Sequence, residues 1–171
     1  MISIELLSEK NFHENSLDAY QRRHDVKKVY RRQNGAYELV ECAYTEDWDI
    51  VQKRQIAKSI RSNDIIAYLA LDNGSVVGFI ALKRKLVDGY MILDLMHVSA
   101  PVRGQGIGRK LFEAGKETAR NIGSKALYIS ACSSEETIGF YRAMGAEITA
   151  HPIREIADKE PYDLQMTCPV I

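Results

Sequence analysis

The residues whose types and spacing point most directly to chemistry are Arg103-Gly104-Gln105-Gly106-Ile107-Gly108. They fall between a run that reads as a strand, Tyr90 to Val98, and a run that reads as a helix, Ile107 to Ile122. A strand that feeds a glycine-rich turn and then a helix is a place to hold an anion. The first-turn N–H groups of a helix lack intrahelical acceptors and sit at the positive end of its dipole. Glycines let that backbone approach a phosphate closely, because no Cβ intervenes. Arg103 adds a fixed charge with several donors. The nucleotide fingerprints do not fit: there is no Gly-Lys-Ser/Thr, and the spacing is not Gly-x-Gly-x-x-Gly.

Arg103, Gly106 and Gly108 make the pattern Arg-x-x-Gly-x-Gly, directly after a strand ending Leu95-Met96-His97-Val98. A strand at Ala126 to Cys132 follows, then a short helix carrying Phe140-Tyr141-Arg142-Ala143-Met144-Gly145-Ala146. These two motifs, in this order and spacing, resemble the acetyl-coenzyme A segments of the GNAT superfamily of N-acetyltransferases. Val77-Gly78-Phe79-Ile80 matches the family's Val-Gly-aromatic strand. The resemblance covers roughly Ile65 to Ile148, and the first sixty residues follow it only in outline.

The resemblance implies an α/β fold, a twisted mixed β-sheet flanked by helices, with acetyl-CoA as co-substrate. Its pyrophosphate would lie on the backbone of Arg103, Gly104, Gln105, Gly106, Ile107, Gly108 and Arg109. The pantetheine arm would run along Met96, His97 and Val98, entering a gap where that strand and the Leu127 strand splay apart. The Val98 N–H would meet the thioester oxygen, where a preorganised donor stabilises developing charge. Tyr141 would reach the sulfur as general acid; a phenol with a pKa near 10 is protonated at neutral pH and can donate to a thiolate. Relatives often carry Asn seven residues before this tyrosine, bonding the pantetheine. Here the position is Ser134, which can make one such bond but not the amide's pair.

A base must also accept the amine proton, directly or through water. Asp94 lies four residues before Val98, so strand alternation predicts Asp94, Met96 and Val98 on one side and His97 on the other. A carboxylate at this strand position serves as base in some similar enzymes, so the resemblance makes Asp94 the candidate base; a structural acid in a hydrogen-bond network is the other reading of it, and Glu46, Asp47 and a water path are the alternatives. The expected activity is direct transfer of acetyl from acetyl-CoA to a primary amine on a small molecule or peptide. The alternatives are a non-catalytic CoA-binding regulatory or sensor domain, and an acyltransferase for a longer acyl-CoA.

The elements that must position these groups are legible in outline. The length of 171 residues fits one domain, 1–171, with a real core. Lys plus Arg and Asp plus Glu both number 23, so no global charge points to nucleic acid or an acidic membrane surface. Three scattered cysteines, Cys42, Cys132 and Cys168, with no leader and no membrane-length apolar run, predict reduced thiols in a cytoplasmic protein. The isolated histidines predict no metal, and Cys132 reads as a small apolar packing residue.

Met1 to Leu7 reads as a strand, and Ser8 as the cap of a short helix through about Tyr20. Arg22-Arg23-His24 and Lys27-Lys28 read as a solvated basic face. Asn34-Gly35 predicts a hairpin over residues 25–43, an insertion that shapes the acceptor pocket or serves a homodimer. Asp49 with Gln52 predicts a capping box opening a helix from Ile50 to Arg61, and Trp48 reads as core. Ile65 to Leu71 and Val76 to Leu86 predict a second hairpin. Gly115 predicts tight helix–sheet packing, because glycine costs a helix roughly 1 kcal/mol. Ser133 with Glu136 predicts a capping box. Glu147 to Ala150 and Tyr162 to Thr167 read as the last strands.

Overall fold

The computed structural model describes residues 1–171. Nine strands and four helices follow in the order β1 (Ile2–Leu6), β2 (His24–Gln33), β3 (Ala36–Glu46), α1 (Ile50–Ile60), β4 (Ile65–Asp72), β5 (Ser75–Lys83), β6 (Met91–Val98), α2 (Ile107–Ile122), β7 (Ala126–Ala131), α3 (Glu135–Ala143), β8 (Glu147–Ile148), α4 (Arg154–Ala157) and β9 (Leu164–Pro169). Seven strands form one sheet in the order β1-β4-β5-β6-β7-β9-β8, and β2 with β3 forms a separate hairpin. Neighbours in the large sheet are antiparallel except β6 and β7, which α2 connects in parallel. The expected mixed sheet flanked by helices, with a hairpin insertion, is the architecture found.

Local sequence explains the turns. Asn34-Gly35, Asn73-Gly74 and Asp88-Gly89 all hold positive φ at both residues, the backbone that two-residue hairpin turns demand. Asp49 and Gln52 form the expected capping box at the start of α1. Alternation then divides the sheet into two faces. Ile80, Leu82, Met91, Leu93, Leu127 and Ile129 pack with α2 and α3. Leu69, Phe79 and Ala81 pack on the other face with α1 and with Phe12, Leu17 and Tyr20.

Four expectations are corrected. Residues 8–20 form no helix but a chain of turns, such as Ser16 N–H to His13 O and Tyr20 N–H to Leu17 O. Phe12 N–H still makes a helical bond to Ser8 O, but the next amide, His13 N–H, bonds Ser16 Oγ instead of continuing the ladder. The cap of α3 is Ser134 rather than Ser133, because Ser133 is occupied by the hairpin: its carbonyl accepts from Tyr30 N–H and its hydroxyl from Arg31. The strand β5 stops at Lys83 rather than Leu86, and the final strands run Glu147–Ile148 and Leu164–Pro169, with α4 between them.

The fourth correction sets up the site. Leu82 faces Leu93 and Ala81 faces Leu95, so Asp94 is an extra residue, a β-bulge, on β6. Leu93 and Met96 both pack in the α2-side core, three positions apart, whereas Leu95 packs in the opposite one. The bulge thus shifts the alternation by one residue. The parallel pairing of β6 with β7 also ends here, at Leu93↔Ile129, although β6 runs on to Val98 and β7 to Ala131.

Gly115 is where α2 presses on the sheet: a Cβ there would meet Ile80 Cδ1 at 2.8 Å. Ile80 is fully buried and cannot swing clear. Gly115→Ala should therefore lower stability in urea unfolding by about 1 kcal/mol, the overpacking cost exceeding the gain in helix propensity; a stabilised variant would refute this packing account.

Candidate functional site

The parted strands open a cleft of about 590 Å³ lined by residues from β6, the loop to α2, α3 and the hairpin. Its first wall is the glycine loop. Gly104 and Gly106 hold φ near +80° with nothing within 4 Å of where a Cβ would stand. Gly106 is the N-cap of α2, and no side chain caps the helix. Lys110 N–H reaches back to Gly106 O, so the N–H groups of residues 107–109 are free to take an anion. Gly108 is needed for a different reason: a Cβ would stand 3.1 Å from the Phe140 ring and 3.8 Å from Met96. Gln105 is exposed and its side chain lies outside the cleft lining.

The free edge of β6 is the second wall. Ser99 N–H bonds Val77 O, and Gly78 stands opposite Val98. By the alternation of antiparallel ladders, the N–H groups of Met96 and Val98 then point away from β5, into the gap. The Val98 carbonyl is already taken, by Arg103 Nε at 2.9 Å. That contact revises the reading of Arg103. Its guanidinium folds back onto Val98 O, Arg22 O and His97 Nε2, so it braces the end of β6 instead of standing over the glycine loop as a free phosphate ligand.

Tyr141, on α3, is 6 % exposed and lines the cleft. Burial first, then the nearby Cys132 and Asp163, push its phenol up, and no hydrogen bond contributes. It is fully protonated at neutral pH with its hydroxyl uncommitted. Ser134 is a correction. It is wholly buried, its hydroxyl donates to Thr137 Oγ1 at 2.8 Å and accepts from Thr137 N–H, and it does not line the cleft. Capping α3 consumes the group that would have met a pantetheine; Thr137 stands at the cleft instead.

Asp94 is the second correction. Because of the bulge it does not share a face with Met96 and Val98; it lines the cleft from the opposite face, 3.9 Å from Lys83 Nζ. His97 does lie on that opposite face, as alternation requires, packed against Tyr20 and Trp48. Its Nε2 takes a hydrogen bond from Arg103, which can only donate, so the proton sits on Nδ1 and goes to Tyr20 Oη at 2.8 Å. Burial, then Arg22 and Arg103, push His97 down to about 2. With both nitrogens occupied and the ring neutral, His97 is a structural strut.

The third wall comes from residues that sequence reasoning placed elsewhere. The basic run is solvated only in part: Arg23, Lys27 and Lys28 are exposed, but Arg22 and His24 line the cleft, and the Arg22 side chain is only 13 % exposed. Arg22 pairs with Glu46 at 2.5 Å and lies over the Trp48 ring at 5.2 Å. Its Nε and Nη1 are buried without hydrogen-bond partners, a cost that the cation–π contact, worth about 1–2 kcal/mol, reduces. Trp48 is half-buried against Tyr20 and Phe79 and also lines the cleft. Cys132 is likewise more than packing: its Sγ lies 3.6 Å from Glu46 Oε1, and burial pushes its thiol up. His24 reaches Glu136 of α3 at 3.6 Å. The hairpin thus closes one side of the cleft with its base, clamped by Tyr30 N–H to Ser133 O and by the Val29–Ser134 bridge. These clamps join residues more than a hundred positions apart, and no local periodicity announces them.

Residues 33–146 match the family model described as the acetyltransferase (GNAT) family, more than half of the chain. The chain belongs to the GNAT acetyltransferase family. It is an enzyme class defined by acyl transfer. Solved structures agree on the fold. A Bacillus anthracis protein assigned as a streptothricin acetyltransferase, in complex with acetyl coenzyme A, superposes with a TM-score of 0.74 at 17 % identity over 99 % of this chain and 98 % of that one. A nourseothricin acetyltransferase gives 0.75 at 18 % over 99 % of both. An aminoglycoside 6'-N-acetyltransferase complexed with coenzyme A gives 0.56 at 16 %, over 70 % of this chain and 80 % of that one. No curated protein matches the chain at a significant level. No helix of this GNAT protein is long and apolar enough to cross a membrane.

The buried His97 gives a pH signature. Its folded pKa, about 2, lies below the unfolded value of about 6.5. Its contribution is complete above pH 6.5 and is lost as pH falls, because only the unfolded chain takes up the proton. Between about pH 6 and pH 4 it should steepen the loss of stability by about 1.4 kcal/mol per pH unit. Urea unfolding of His97→Gln across that range should be flatter by this amount; parallel slopes would show that His97 is charged in the folded protein.

Proposed function

We propose that this GNAT enzyme binds acetyl-CoA in the β6–β7 cleft and transfers the acetyl group directly to a primary amine that enters from the hairpin side. The observation that carries the reading is the gap itself. It has uncapped helix N–H groups and left-handed glycines at one end, free Met96 and Val98 N–H groups along one edge, and an uncommitted tyrosine hydroxyl at the other. These fit the diphosphate, pantetheine and thioester of the coenzyme in turn. Val98 N–H would polarise the thioester oxygen and Tyr141 would protonate the departing sulfur. A covalent acyl-enzyme is disfavoured: burial raises the Cys132 thiol pKa, and Glu46 raises it further, so little nucleophilic thiolate forms near neutral pH.

The amine side carries Asp94, Glu46, Glu136 and Trp48, with Arg22 and His24 paired to the two glutamates. This composition suits a cationic acceptor, since acidic and aromatic groups both attract ammonium. The neighbours named for streptothricin, nourseothricin and aminoglycosides supply the first amines to screen.

Calorimetric titration with acetyl-CoA tests the coenzyme half. Gly106→Ala should weaken binding at least tenfold, because φ is +80° there and the new methyl would occupy space next to the helix N–H groups. Absence of wild-type binding would refute the reading. Tyr141→Phe should lower kcat about a hundredfold at unchanged acetyl-CoA affinity; unaltered turnover with chemistry rate-limiting would remove Tyr141 from the mechanism. Coenzyme binding without turnover on any amine would point to the sensor alternative.

A further inference from the structure

One carboxyl beside the cleft neither holds the coenzyme nor protonates its sulfur. Asp163 lies in the loop before β9, and its Oδ2 accepts a hydrogen bond from Ser130 Oγ at 2.9 Å. Ser130 accepts in turn from Gln165 Nε2 at 2.9 Å, Gln165 Oε1 accepts from Tyr128 Oη at 2.6 Å, and Tyr128 Oη accepts from Ile153 N–H at 2.9 Å. Tyr128 Oη accepts from the backbone and donates to Gln165, whose NH₂ therefore faces Ser130. An ionised carboxylate can only accept, so the Ser130 proton points at Asp163. Ser130 Oγ has one lone pair left, and Ser130 lines the cleft.

The position on the sheet is right for an acceptor group. Ile129 and Ala131 pack in the core under α2, so Ser130 emerges on the other face, with Tyr128. That is the face of His97, Trp48 and the hairpin base. The acids lining the cleft each face a partner: Asp94 lies 3.9 Å from Lys83, Glu136 lies 3.6 Å from His24, and both Glu46 oxygens are in contact with Arg22 and Cys132. Both His97 nitrogens are bonded.

We propose that Ser130 and Asp163 form the relay that takes the proton from the attacking amine, an inference that rests on the acetyl-transfer reading above. As the amine nitrogen bonds to the thioester carbonyl carbon it becomes cationic. One N–H proton passes to Ser130 Oγ while the Ser130 proton passes to Asp163 Oδ2. The carbon–sulfur bond breaks, and the thiolate takes the Tyr141 phenolic proton. Neutral Asp163 then returns a proton through water to the tyrosinate. One proton leaves nitrogen, one arrives on sulfur, and both side chains are restored.

The surroundings suit a base that works near neutrality. Glu160 faces Asp163 from its own loop and Glu46 from β3, with the Cys132 thiol and the Tyr141 phenol close by. Arg31 of β2 is spent on the Tyr162 ring, at 4.3 Å, and on Ser133. Burial, then Glu160 and Glu46, push the Asp163 carboxyl up to about 6, against the Ser130 bond that lowers it.

The test is the pH dependence of kcat at saturating acetyl-CoA and amine, for wild type, Asp163→Asn, Asp163→Glu and Ser130→Ala, beside acetyl-CoA affinity for each. Wild-type kcat should fall below about pH 6 with unit slope. Asp163→Asn should lose that acid limb and about a hundredfold in kcat at pH 7.5, with coenzyme affinity unchanged. Asp163→Glu should restore the limb in part, and Ser130→Ala should keep it at about a tenfold lower rate. A wild-type profile in Asp163→Asn overturns the relay and leaves acetyl transfer standing. No wild-type turnover on any amine of the panel overturns the acetyl-transfer reading, and the relay with it.

Discussion

The site depends on one interruption of hydrogen bonding. In a continuous sheet, β6 and β7 would satisfy each other's backbone along their whole length. The extra residue at Asp94 bends β6 as its pairing with β7 ends at Leu93 and Ile129. Beyond that point β5 still pairs one edge of β6, and the edge that faced β7 has no strand beside it. Unpaired backbone groups in a protein interior cost about 1–3 kcal/mol each, so the gap is tolerable only because it is open to water and to a ligand that can bond there. The neighbouring elements exploit that opening. The glycines lie at its end, α3 brings Tyr141 to it, and the hairpin base covers part of it.

The backbone of the proposed coenzyme half was legible because its requirements are local. A left-handed backbone needs glycine at Gly104 and Gly106, a helix start needs uncapped N–H groups, and both arise from consecutive residues. The turns at Asn34-Gly35, Asn73-Gly74 and Asp88-Gly89 were legible for the same reason. The acceptor half was not. Arg22 reads as one of several exposed cations until β3 places Glu46 against it, and Trp48 reads as core until the hairpin base leaves one side of it open. Asp94 misleads in an instructive way. Alternation is a sound rule, and a single bulge, invisible in the sequence, inverts it. Residues 8–20 do not continue as a helix past Phe12, where Ser16 Oγ takes the His13 N–H. Ser130 and Asp163 had no local signature at all, being 33 residues apart and joined only by the pairing of β7 with β9.

The electrostatics of the two halves differ in kind. Around the glycine loop the positive field comes from backbone dipoles, which cost nothing to reorganise and cannot titrate. On the hairpin side the charges are side chains of both signs that hold one another: Arg22 with Glu46 and His24 with Glu136, while Arg103 bonds the neutral His97. Arg103 belongs to both halves. It comes directly after the strand that borders the coenzyme gap, yet its guanidinium locks the histidine on the far face.

A gap that passes between two strands has a mouth on each face of the sheet. In the proposed reaction the coenzyme occupies one mouth and the amine the other, with the reacting carbon between them. Neither molecule then has to leave for the other to enter, and the order of arrival is set by affinity instead of by obstruction. The same geometry defines an inhibitor shape: a single molecule that threads the sheet, a pantetheine arm on one side and an ammonium group on the other, joined by a linker no wider than the parted backbones.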